Sequence, residues 1–216
     1  MRRPASATPN KLYEKVQERI LSGRMPAGAP IRQDTLAAEL GVSKIPLREA
    51  LTRLESDGLV VSHKNRGFQV RPIAIEEARD IFDLRMRIEP DATALGAQWA
   101  DAAARAAATG ALEALEKALA GASASVGRRN REFHLALVRP SARAITIGMV
   151  ERLLALSERY VRFHLGGRGR SERALHEHRE LLDAWLSGRL ARVRANAEEH
   201  IRATLRDLAG ELSGAE

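Results

Sequence analysis

The 216-residue sequence contains no cysteine. That excludes disulfides, thiolate metal sites and a cysteine nucleophile. Aromatic residues are scarce, at 4%. A core must then be assembled mainly from Leu, Ala, Val and Ile, which favours packed helices over a sheet sandwich. No apolar run approaches the ~20 residues that span a bilayer, so no membrane segment is expected. The opening MRRPASATPNK has two arginines but no apolar stretch behind them, and does not read as a signal peptide. With these signals missing, a cytoplasmic location is expected.

What is present is ample apolar and charged material, 44% and 29% of residues. That composition supports a globular chain with a real core. The length suits one large domain or two small ones. The net charge of +7 is unevenly placed. Residues 1–72 hold 13 basic and 7 acidic side chains, whereas residues 73–216 hold 22 and 21. A basic excess confined to one third of the chain points to a polyanionic partner, most often nucleic acid or an anionic membrane surface.

Residues 1–9 are polar, with Pro4 and Pro9, and read as a flexible arm. A helix is expected over Lys11–Leu21, where Leu12, Val16, Ile20 and Leu21 recur at helical spacing. Gly23 and the MPAGAP loop end it, and a second short helix is expected over Ile31–Leu40. A third runs from Ser43 to Gly58. Two β-prone runs, Leu59–Ser62 and Gly67–Arg71, joined by the polar HKNR turn, read as a hairpin. Pro72 closes this unit, so residues 10–72 form one expected domain and 73–216 another. The second shows no strand pattern. It reads as helices over 76–100, roughly 103–120, 126–138, 141–165, 171–187 and 189–211. Its breaks fall at Gly121, Pro140, the glycine-rich loop 166–169 and Gly188. That loop follows no strand and lacks a P-loop lysine, so it does not read as a phosphate cradle.

The stretch VSKIPLREALTRLESDGLV carries the first functional signal. Leu47, Ala50, Leu51 and Leu54 fall at i, i+3, i+4 and i+7 and form one buried stripe. Ser43 is placed to cap the helix, and Pro46 sits in the first turn, where its missing N–H costs little. The opposite face presents Lys44, Ile45, Arg48, Glu49, Thr52 and Arg53. With the preceding helix and the Gly41-Val42 turn, this makes a helix-turn-helix whose second helix enters the major groove by its N-terminal end. An arginine there can pair bidentately with guanine. His63, Lys64 and Arg66 at the hairpin tip can reach phosphates or the minor groove.

These residues resemble the N-terminal winged helix-turn-helix of the GntR family of bacterial transcription regulators. The S-[RK]-x-P-[VL]-R-E-A-L core is complete as Ser43, Lys44, Pro46, Leu47, Arg48, Glu49, Ala50 and Leu51. The resemblance implies DNA contacts from Ser43, Lys44 and Arg48, with Gly67 allowing the wing turn. Lys44 stands where arginine is commoner, which keeps the charge but loses the bidentate fork.

Three of the six histidines carry the second signal. Asn130 and His134 are one turn apart on one helix face. His178 and His200 lie on consecutive helices, 10 residues before and 12 after Gly188, and so at similar heights in an antiparallel pair. Imidazoles with an amide or carboxylate oxygen suit Zn, Ni or a similar divalent ion. Taken singly, a histidine is more often an ordinary core or surface residue. His176, two residues before His178, points elsewhere on its helix, and His63 and His164 are left outside the set.

The C-terminal half is similar to the FCD branch of the GntR family, through IFDLRMRIEPDATALGA, NREFHLALV and EHRELLDAWLSGRLARVRANAEEH. In its metal-binding members the pattern is Asp-x3-His on one helix and one His on each of the last two. His134, His178 and His200 match the histidines, and Asn130 stands at the Asp position. Arg85 matches an arginine lining that cavity, where with a metal it can hold a carboxylate effector. The competing reading pairs Arg85 with Glu89 as a solvated i, i+4 ion pair. Some relatives bind acyl-CoA there without metal.

The expected protein is therefore mainly α, a winged helix-turn-helix followed by a six- to seven-helix bundle. It is expected to be a homodimeric DNA-binding regulator, probing a near-palindromic operator as a repressor and controlled by a small organic acid. A helical histidine metalloenzyme is the competing class. It requires a general base, and Glu132 and Glu177 are the carboxylates nearest in sequence.

Overall fold

The computed structural model describes residues 9–64, 66–121, 125–165 and 170–213. The proposed arm (but for Pro9), Asn65 of the expected turn and the glycine-rich loop 166–169 lie outside the described residues. Internal packing divides the chain into two units, 1–73 and 74–216.

In the first unit the elements are α1 (Pro9–Leu21), β1 (Pro30–Ile31), α2 (Gln33–Leu40), α3 (Lys44–Ser56), β2 (Val60–His63) and β3 (Gly67–Val70). Leu12, Val16 and Ile20 of α1 are buried against the leucine stripe of α3, with Leu36, Phe68 and Val70 completing the core. The helix expected over Lys11–Leu21 starts two residues earlier, at Pro9, a residue suited to a first turn and assigned by sequence to the arm. The second helix begins at Gln33 rather than Ile31, because Pro30 and Ile31 pair with β3 instead. The hairpin is thus the larger part of a three-stranded antiparallel sheet of order β1-β3-β2. In it, His63 opposes Gly67 and Val60 opposes Val70.

α2 ends where the Val42 N–H donates to Ala37 O at 3.0 Å and the Gly41 N–H to Ala38 O at 3.2 Å. This paired closure turns the chain tightly into α3. Ser43 occupies the position before α3 with extended backbone, but its hydroxyl makes no capping bond. The expected cap is not made.

The second unit is all helical: α4 (Ile75–Trp99), α5 (Ala102–Ala120), α6 (Val126–Val138), α7 (Ala144–Leu165), α8 (Arg170–Leu186) and α9 (Leu190–Ser213). A 3-10 turn over Arg139–Ser141 takes the first residue expected in the fourth of these helices away from it. α4 is the central helix, packed on α6, α7 and α9. Its buried face runs Ala78, Ile81, Phe82, Arg85, Glu89, Ala92, Thr93 and Gly96. Two charged residues therefore stand in the middle of an otherwise apolar stripe. At Gly96 the neighbouring backbone comes so close that a Cβ would lie 1.9 Å from Leu137 O. Trp185 of α8 fixes the same carbonyl by donating from Nε1 at 3.1 Å.

Candidate DNA-reading face and candidate metal centre

α3 separates its two faces as its spacing requires. Leu47, Leu51 and Leu54 are fully buried, while Ser43, Lys44, Ile45, Arg48, Glu49 and Thr52 are exposed. Ile45, Arg48, Glu49 and Thr52 fall at i, i+3, i+4 and i+7 on one solvent-facing stripe. Arg48 makes no hydrogen bond or ion pair among the described residues, so its five donors face water. Lys44 Nζ instead lies 2.5 Å from Asp34 Oδ1, tying the start of α3 to α2. Both groups are well exposed, so the tie is weak. Arg53, on the same expected face, is turned back onto the fold. It donates to Asn10 Oδ1 at 2.8 Å and stacks over the Tyr13 ring at 4.3 Å.

At the wing, Lys64 and Arg66 are exposed. His63 Nε2 sits 2.8 Å from Gln69 Oε1, which ties that ring to the neighbouring strand. The Arg66 N–H donates to His63 O at 3.0 Å to close the turn. Gly67 follows with φ 79°, a left-handed backbone that only glycine adopts without strain.

In the second unit, His134 of α6, His178 of α8 and His200 of α9 meet in the interior. One ring nitrogen from each lies within 4.8 Å of the others. Their ring centroids are 5.3 Å apart for His134–His178 and His134–His200, and 4.4 Å for His178–His200. The two helices joined at Gly188 do bring His178 and His200 to one level.

Each outer histidine is held from behind. His134 Nδ1 lies 2.8 Å from Glu89 Oε1, and His200 Nδ1 lies 2.7 Å from Glu177 Oε2. A carboxylate accepting Nδ1–H leaves the Nε2 lone pair for another partner, the arrangement by which proteins orient metal-ligating imidazoles. His134 Nε2 is buried with no hydrogen-bond partner, and so are both nitrogens of His178. Buried polar atoms are rarely left this way. Phe133 packs edge-on against His178, with ring centroids 5.1 Å apart.

Burial pushes His178 well below the ordinary histidine range, helped by the neighbouring His200, His134 and Arg85. Burial also lowers His134, against the opposing pull of Glu89. Both rings are therefore neutral, the form that ligates metal. Burial alone would raise Glu89; Arg85 and His134, through charge and hydrogen bonds, outweigh it and hold the carboxyl well below its usual range.

Arg85 does pair with Glu89, but the pair is not solvated. The side chains are 2% and 1% exposed, with Nε 2.8 Å from Oε2. Nη1 also donates to Ser157 Oγ at 3.3 Å. Glu89 is thus the hub joining Arg85 to His134, a role its sequence position one turn after Arg85 disguised. Its place in the α4 core stripe was the available signal.

Arg85, Asn130, His164, His178, His200 and Thr204 are among the residues lining a small cavity beside the histidines. It has room for about one water molecule, near 10 Å³. His164 belongs to this wall, although its sequence position set it apart. It is buried, and burial lowers its titration to about 4 despite the Asp207 carboxylate 3.5 Å away. His176 is exposed, as its spacing predicts. Glu132 pairs with Arg129 near the surface, and Glu177 is committed to His200, so neither stands as a poised general base.

Residues 8–70 match the model of the bacterial regulatory proteins of the gntR family, and residues 80–203 match the FCD domain. The chain belongs to the GntR family. This GntR-family protein is 29% identical over 200 residues to the HTH-type transcriptional repressor GlaR of Escherichia coli K12, covering 88% of this chain and 89% of that one. It is 30% identical to a GntR-family regulator from Pseudomonas syringae pv. tomato, whose crystal structure aligns over 98% of this chain and 89% of that one with a TM-score of 0.57. E. coli McbR/YncC shares the fold at 22% identity, with a TM-score of 0.79 over 96% of this chain and all of that one. The GntR helix-turn-helix makes the protein a DNA-binding transcriptional regulator and not an enzyme. No helix among the described residues is long and apolar enough to cross a membrane.

Proposed function

We propose that this GntR-family protein is a cytoplasmic repressor whose hold on a near-palindromic operator is set by a divalent ion and a small carboxylate in the helical domain. The carrying observation is the trio of buried imidazoles, with partnerless nitrogens facing inward and carboxylates holding two of the rings from behind. Nothing in ordinary core packing calls for that arrangement. Three imidazoles are a good donor set for Zn or Ni, and Asn130 lines the same cavity with a neutral amide oxygen. When bound, the ion supplies a fixed positive charge. Arg85 stands in the same wall, but Glu89 balances its charge, so the ion supplies the uncompensated charge that draws a carboxylate, with the guanidinium as a neighbouring donor. The three-imidazole donor set favours an ion over a metal-free acyl-CoA.

In the DNA-binding domain, Arg48 is the base reader and Lys44 a weaker, Asp34-tethered contact. Ser43, His63, Lys64 and Arg66 meet the backbone or minor groove, with Gly67 shaping the wing. The domains divide as residues 10–72 and 73–216. Two copies place two α3 helices in successive major grooves. The effector favours one arrangement of the dimer over the other and so shifts operator affinity. Repression is the direction carried by the name of the relative GlaR.

The test uses purified full-length protein and an operator selected from random duplexes. Affinity is measured with and without a chelator, and across a panel of small mono-, di- and tricarboxylates. The expected result is sequence-specific binding that one carboxylate class weakens only while the metal is present. Binding indifferent to both chelator and every carboxylate overturns the effector half of the reading; binding without sequence preference overturns the other half.

A further inference from the structure

α3 presents one large apolar side chain to solvent. Ile45 is 73% exposed, at the second residue of the helix. Nothing in its own unit covers it, whereas Leu47, Leu51 and Leu54 from the same helix are fully buried. A polar residue would serve solubility better at this position. The side chain sits on the stripe that also carries Arg48 and Thr52, beside Lys44. The N-terminal residues of such a helix are the ones that meet base edges. In the major groove only one natural base offers an apolar group, the C5-methyl of thymine.

We infer that Ile45 is a specificity-determining residue that packs on a thymine methyl in each operator half-site, next to the base pair read by Arg48. This rests on the DNA-reading role proposed for α3. Lys44 Nζ lies 2.5 Å from Asp34 Oδ1, so the cation next to Ile45 leans toward α2, and Ile45 itself stays 73% exposed. Arg48, one turn further on, has no such tether and is free to hydrogen-bond to a guanine beside the thymine. Ile45 cannot hydrogen-bond, so the preference it confers is for a methyl against its absence.

The experiment removes that methyl and nothing else. Full-length protein selects its preferred duplex from a random pool, and each thymine is then replaced singly by uracil. Affinities are measured by fluorescence anisotropy for wild type, Ile45→Ala and Arg48→Ala. At one thymine per half-site, uracil should weaken wild type by about fourfold, the value of one buried methyl-sized group. Ile45→Ala should bind the thymine and uracil duplexes equally. Because Ile45 is exposed, the variant keeps its fold, which an unchanged melting curve and unchanged Arg48-dependent discrimination confirm. The inference is overturned if no thymine shows the effect, or if the effect persists in Ile45→Ala. Selected binding that depends on Arg48 while ignoring every methyl sinks only the role of Ile45. Failure to select any preferred sequence sinks the DNA-reading role of α3 as well.

Discussion

Glu89 accepts from both His134 and Arg85 in the interior of the helical domain: Oε2 takes Arg85 Nε at 2.8 Å, and Oε1 takes His134 Nδ1 at 2.8 Å together with Arg85 Nη2 at 3.2 Å. One buried carboxylate thus balances the buried arginine and sets the tautomer of a histidine. Its removal acts on both at once.

Glu89→Gln keeps the side chain's size but leaves the Arg85 charge uncompensated in the core. Breaking one partner of a buried pair costs about 3–5 kcal/mol. Urea denaturation of the chelated protein should show a loss of that order. Arg85→Met combined with Glu89→Met should lose less than the Glu89 change alone, because no lone charge remains. A double variant as damaged as the sum of Arg85→Met and Glu89→Met measured singly contradicts the pairing.

Glu177→Gln tests the second orienting carboxylate without creating a buried charge. Removing such an outer partner typically weakens metal affinity 10–100-fold. Competition against a fluorescent zinc chelator should register that loss with little change in melting temperature. Equal affinity in wild type and variant argues against Glu177 orienting His200 toward an ion.

Acid should weaken the metal-free protein earlier than the carboxylates alone predict. His164 titrates near 6.5 when unfolded but about 4 when folded, because burial penalises its charged form. Between those values the unfolded state binds more protons, so stability is intact above pH 6.5 and falls as pH drops toward 4. For His164 the loss is roughly 3 kcal/mol over that window. The lowered His134 and His178 act in the same direction, and depressed Glu89 adds its own loss below its ordinary value of 4.5. Denaturation at stepped pH measures the slope, which His164→Phe should make shallower. A stability flat between pH 6.5 and 4.5 contradicts the buried neutral histidines.

At the DNA, Arg48→Ala should cost about 1–3 kcal/mol and relax preference at one base pair per half-site. Lys64→Ala or Arg66→Ala should weaken all sequences alike and reduce the salt dependence by about one counterion each. Anisotropy titrations over a range of salt separate the two patterns. A uniform loss from Arg48→Ala moves it from base reader to phosphate contact.

The leucines of α3 and the apolar positions Leu12, Val16 and Ile20 of α1 were legible because helical periodicity records which face is inward. The meeting of His178 and His200 was legible for the same reason, being two near-equal distances from one turn at Gly188. β1 was not, since two residues, Pro30 and Ile31, have no period to detect. The burial of Arg85 and Glu89 was obscured because i, i+4 charges read as a surface pair unless the whole stripe from Ala78 to Gly96 is weighed. His164 was missed because nothing in its own helix announces that Asn130, His178 and His200 share its cavity. The capping role expected of Ser43 failed at a finer scale, where sequence gives the position but not the rotamer.

The central claim, that the helical domain is built around a metal-held effector site, is tested most directly by metal stoichiometry. Chelated full-length protein is titrated with Zn²⁺ and with Ni²⁺ by calorimetry and checked by elemental analysis after desalting. Wild type and His176→Ala, whose ring is exposed and apart from the cluster, should each retain one ion per chain. His134→Ala, His178→Ala and His200→Ala should retain none while keeping their helical content. A folded wild type that takes up no ion, or an ion retained after loss of His178, would contradict the account.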